Sequence, residues 1–81
     1  MIVTLYGRPD CHLCDQARDE IAAIAARDHT IELRELDIET DEALLRAYLE
    51  RIPVVEVDGR VVSELVFDHD AFLSALHTVG P

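Results

Sequence analysis

Apolar positions along the chain fall into short blocks whose spacing switches between two periods. Ile2–Tyr6 is a β-rich run ended by Gly7, Arg8, Pro9 and Asp10, and it predicts a strand followed by a loop. From about His12 to Arg27 the spacing becomes helical. Ala17, Ile21, Ile24 and Ala25 recur on one side, with Asp15, Arg18, Asp19 and Arg27 between them. Asp28, His29 and Thr30 make a turn. Ile31–Ile38 alternates for part of its length: Ile31, Leu33 and Leu36 are apolar, Glu32, Arg34 and Glu35 polar, which predicts a second strand.

Thr40 reads as the cap of a second helix, with Asp41 and Glu42 in its first turn and Leu44, Leu45, Ala47, Tyr48 and Leu49 along it. That helix ends before Pro53, because the residue preceding a proline avoids the helical region. Val54, Val55 and Val57 predict a third strand, Asp58-Gly59 a hairpin turn, and Arg60–Val66 a fourth strand. Asp68 caps a last helix carrying Ala71, Phe72, Ala75, Leu76 and Val79, and Gly80 and Pro81 stop it. The order is βαβα followed by ββα. It predicts an α/β fold in which a parallel pair with a crossover helix and an antiparallel hairpin join into a four-stranded mixed sheet covered by three helices.

The 81 residues fit one domain, spanning 1–81, with no linker or repeat. Hydrophobic residues make up 49% of the chain, enough to argue for a folded core rather than disorder. The net charge is −10, with seven arginines and no lysine. A field of that sign repels phosphate backbones and argues against nucleic acid as a partner. No run approaches the length of a membrane span, and Met1–Tyr6 is too short for the core of a signal peptide, so the expectation is a cytoplasmic chain, with a processed secreted protein as the alternative; a monomer is expected.

Cys11 and Cys14 are the two cysteines. A bond between them closes so small a loop that it constrains the unfolded chain little, which favours a reactive pair over a structural staple. Cys11 stands where the first helix begins. Unpaired N–H groups and the helix dipole there favour a thiolate, the attacking form. Cys14 returns to nearly the same side, within reach of a mixed disulfide on Cys11. A C-x-x-C pair is also half of a zinc or iron–sulfur site, but no second cysteine pair completes one, so no metal and no cofactor is expected. His12 is either a solvent-facing residue of the first turn or a charge partner of the thiolate. Arg8 is either an ordinary loop arginine or a guide for an anionic substrate. Pro53 opens a strand, where proline is tolerated, and X–Pro is the common home of a cis bond.

The stretches VTLYGRPDCHLCDQA, ELDIETD and RIPVVEVDGRVV, with the acidic residue opening the last helix, resemble the glutaredoxin-like branch of the thioredoxin superfamily. The match is nearest to short bacterial proteins with a C-H-L-C site, and together these stretches cover nearly the whole chain. The resemblance implies a thioredoxin fold, Cys11 as nucleophile and Cys14 as resolving thiol. It further implies that Pro53 is cis and faces the site, where the Ile52 backbone pairs with an extended substrate.

One departure stands out. Glutathione-using relatives carry a Gly-Gly pair after the fourth strand, whose backbone N–H groups take the tripeptide's carboxylate. Here Ser63, Glu64 and Leu65 stand at that place. Side chains obstruct close backbone approach, and a glutamate repels a carboxylate. Ser63 and Glu64 are therefore either cleft-lining residues or ordinary strand-end ones, and Arg8 or Arg51 is placed to offset the charge. The expected activity is thiol–disulfide exchange and electron transport. Protein or small-molecule disulfides serve as substrate, and a dithiol, a reductase or glutathione as donor. The rival readings are a binding or redox-sensing module without turnover, and a metal or cluster carrier.

Overall fold

The computed structural model describes residues 1–78. Four strands, β1 (Ile2–Gly7), β2 (Glu32–Asp37), β3 (Val54–Val57) and β4 (Arg60–Glu64), form one sheet in the order β2-β1-β3-β4. Three helices, α1 (His12–Ala25), α2 (Glu42–Tyr48) and α3 (His69–Thr78), lie between and after them. β1 and β2 run parallel, which requires the crossover that α1 supplies, while β1–β3 and β3–β4 are antiparallel.

The two faces of the sheet hold different cores. Val3 and Leu5 of β1 and Val55 and Val57 of β3 pack with Ala17 and Ile21 of α1 and Phe72 of α3. Residues one step out of phase point the other way. Tyr6 stacks on Tyr48 of α2 with ring centroids 4.5 Å apart, and Val54 and Ile38 are buried. The Tyr6 hydroxyl donates to Glu56 Oε1 at 2.9 Å, and burial followed by this bond raises its pKa to about 12. Asp58 and Gly59, at φ 49° and 86°, turn the β3–β4 hairpin, and the positive φ at both positions accounts for the Asp-Gly pair.

Several element ends differ from the sequence-based expectation. The cap of α2 is Asp41, not Thr40. Asp41 Oδ1 accepts from the N–H groups of Ala43 and Leu44, while Ile38–Thr40 forms a 3-10 turn of its own capped by Asp37. Ile38 belongs to that turn, so β2 is shorter than the expected Ile31–Ile38. In β2 the register sets Leu36 beside Tyr6 and Glu35 beside Leu5, so the apolar alternation breaks and Leu36 is exposed. β4 ends at Glu64 instead of Val66, because Leu65 turns into the left-handed region at φ 65°. Asp68 does cap the last helix, its Oδ1 accepting from the Ala71 N–H at 2.9 Å. The expected stop at Gly80 and Pro81 lies outside the described residues. Among those described, no helix is long and apolar enough to cross a membrane.

Candidate functional site

The loop after β1 delivers Cys11 to the N-cap of α1, where its backbone is still extended at φ −111° and ψ 105°. Its Sγ accepts the Cys14 N–H at 3.1 Å, so the sulfur takes one of the helix's unpaired donors. Cys11 and Cys14 are joined by a disulfide, with Cα atoms 5.2 Å apart. Cys14 is 6% exposed, whereas Cys11 is half-buried. The asymmetry follows from the sheet. α1 lays Cys14 against Gly7 at the end of β1, where a Cβ on Gly7 would stand 3.1 Å from both Cβ and Sγ of Cys14. Gly7 is thus a site residue that motif spacing does not reveal. Only the packing shows why the position after Tyr6 has no side chain.

The β1–β3 register pairs Tyr6 with Val54, so Gly7 and Pro53 are the next residues at that end of the sheet. Pro53 is buried and the Ile52–Pro53 bond is cis. Of the Ile52 backbone expected to pair with substrate, the N–H already donates to the Tyr48 carbonyl at 3.0 Å. Arg51, just before it, reaches Glu64 with Nε at 2.6 Å from Oε1, and its guanidinium sits 5.0 Å from the centre of the Tyr48 ring. The hydrogen bond from Arg51 holds the Glu64 carboxyl below the usual range. Glu64 is therefore not the unpaired, repelling charge expected of it.

Ser63 takes the strand-end role of the two left open, near the close of β4. It is buried, accepts the Asp68 N–H at 2.9 Å and donates to the Val66 carbonyl at 3.3 Å, so its hydroxyl holds the turn between β4 and α3. His12 and Arg8 are both exposed, and among the described residues neither forms an ion pair. Arg8 does line a cleft of about 360 Å³ on the Cys14 side, together with Leu5, Gly7, Glu35 and Asp37. Glu35 and Asp37 come to that cleft through the parallel register, and the broken alternation at Glu35-Leu36 was their only trace in the sequence. Among the described residues, no three His, Cys, Asp or Glu side chains gather as metal ligands.

The arrangement joins a half-exposed sulfur at a helix start, a buried second sulfur and a cis-proline loop beside them. It is suited to sulfur-to-sulfur exchange. Protein XcR50 from X. campestris is 37% identical, the alignment covering 96% of this chain and 99% of that one, with a TM-score of 0.76. Protein Ne2328 from Nitrosomonas europaea is 25% identical over 90% of this chain and 87% of its own, with a TM-score of 0.77. Reduced Escherichia coli glutaredoxin, 19% identical over 98% and 96% of the two chains, shares the fold with a TM-score of 0.68. No curated protein sequence matches. The model of the glutaredoxin-like domain family matches residues 2–76, and the chain belongs to that family.

Proposed function

We propose that the protein is a thiol–disulfide oxidoreductase that reduces protein or small-molecule disulfides through Cys11 and Cys14. The observation that carries this reading is the position of Cys11 Sγ, which caps α1 and accepts the Cys14 N–H while Cys14 is buried behind it. A hydrogen bond to the charged form and the positive end of the helix dipole both favour a Cys11 thiolate.

The thiolate attacks one sulfur of the substrate disulfide. That S–S bond breaks, the distal sulfur leaves as a thiolate and takes a proton, and a mixed disulfide remains on Cys11. Cys14 loses its proton and attacks Cys11 Sγ. The second substrate thiolate leaves, and the Cys11–Cys14 disulfide forms. Two electrons and two protons have passed from the dithiol to the substrate, and an external dithiol, reductase or glutathione restores the pair. A pair that must be returned to the reduced state suits the cytoplasm.

The test is turnover of a disulfide substrate with dithiothreitol as donor, alongside iodoacetamide labelling of the reduced protein across pH. Cys11→Ser should abolish turnover, and Cys14→Ser should accumulate a mixed disulfide on Cys11. Cys11 should be alkylated first. Turnover that survives Cys11→Ser, or first labelling of Cys14 below pH 7, would overturn the assignment.

A further inference from the structure

On the proline side of the cysteine pair, three groups able to hold an anionic ligand are engaged within the chain. The Leu65 N–H, the first donor after β4, points back to the Arg51 carbonyl at 3.0 Å. The Ile52 N–H is taken by Tyr48. The Arg51 guanidinium is taken by Glu64 at 2.6 Å and steadied by the Tyr48 ring. Yet this ion pair is not buried: the side chains of Arg51 and Glu64 are 40% and 42% exposed. An arginine adjoining the cis-proline loop is within reach of solvent, and its partner is a carboxylate from the same chain.

We infer that Glu64 is an internal competitor for Arg51: it occupies the guanidinium that a ligand carboxylate would need. It thereby sets the specificity of the site against thiols and disulfides bearing a carboxylate there, glutathione among them. The inference rests on the oxidoreductase reading for its biological meaning but not for its test. A tethered carboxylate acts at an effective concentration in the millimolar range or above, so a free carboxylate well below that concentration displaces it poorly. The Glu64 carboxyl stays ionised well into acid, so the competition persists throughout the neutral range. Glu50, exposed next to Arg51, adds charge of the same sign. A purely structural role predicts little, because exposed ion pairs contribute little to stability. Ligand affinity is therefore the quantity that separates the two roles.

The probe is S-methylglutathione, which keeps the tripeptide's carboxylates and has no thiol, followed by NMR titration of the reduced protein. Glu64→Gln should bind about two- to fivefold more tightly than the original protein, the most that releasing an exposed ion pair can return. The double variant Glu64→Gln/Arg51→Gln should lose that gain, and Glu64→Ala should reproduce the single-variant effect. Equal affinity in the Glu64→Gln protein, or a gain that survives in the double variant, would overturn the inference. The latter outcome would assign the effect to overall charge and not to Arg51. Turnover with dithiothreitol is measured separately on the unmodified protein. If turnover is absent while the binding gain is present, the oxidoreductase reading fails and the competition at Arg51 stands. If turnover is present and the gain absent, the inference alone fails.

Discussion

Replacing Gly7 with alanine tests the packing that buries Cys14. The new Cβ would lie 3.1 Å from both Cβ and Sγ of Cys14, tighter than an ordinary van der Waals contact. Relief by movement of α1 is limited, because Ala17 in the next turn is fully buried against the same sheet. Crowding of this kind in a packed core costs about 1–3 kcal/mol. In the oxidised protein Cys14 Sγ is tied to Cys11 and cannot rotate away. In the reduced protein rotation relieves the sulfur contact and leaves only the Cβ contact. Thermal unfolding followed by circular dichroism should show a fall in Tm of roughly 4–8 °C per kcal/mol lost, larger for the oxidised form than for the reduced one.

Gly59→Ala is the matched comparison. Its Cβ meets nothing within 4 Å, and its cost arises from the backbone at φ 86°. That loss should be the same in both redox states. An oxidised Gly7→Ala protein as stable as the original would refute the packing, and equal losses in both redox states would refute the part assigned to the sulfur.

Ser63→Ala removes the acceptor for the Asp68 N–H and the donor to Val66 inside a buried turn, and urea unfolding should show a loss of about 1–3 kcal/mol. Asp41→Ala should lower stability by about 0.5–2 kcal/mol through the lost helix cap, more than Thr40→Ala does; the reverse order would restore Thr40 as the cap. Tyr6 ionises near pH 12 in the folded protein against 10.0 ordinarily, so its neutral form is the one favoured by folding. The stability it contributes is whole below pH 10 and is lost as pH rises through 12. Absorbance titration should show one late tyrosine that Tyr6→Phe removes.

Much of this molecule follows from short-range pattern. The β-run before Gly7, the helical spacing after Cys11, the Asp58-Gly59 turn and the Asp68 cap are each written within a few neighbouring residues. Local backbone preference and side-chain periodicity determine such features. The place of the cysteine pair, between a first strand and a first helix, belongs to the same class, and so the position of the candidate site was legible with the fold.

What tertiary structure decided are the pairings between residues far apart along the chain. Thr40 and Asp41 are both good caps by composition, and only the 3-10 turn begun at Asp37 gave the role to Asp41. The alternation of β2 breaks at Glu35-Leu36, and only the parallel register against β1 shows that Glu35 and Asp37 come to the cleft beside Cys14. Glu64 looked like a bare negative charge until the β3–β4 hairpin brought it 2.6 Å from Arg51, thirteen residues earlier. Periodicity along a chain reports which face a residue occupies. It does not report which side chain from another element meets it there, and at this site those meetings determine the charge, the depth and the accessible sulfur.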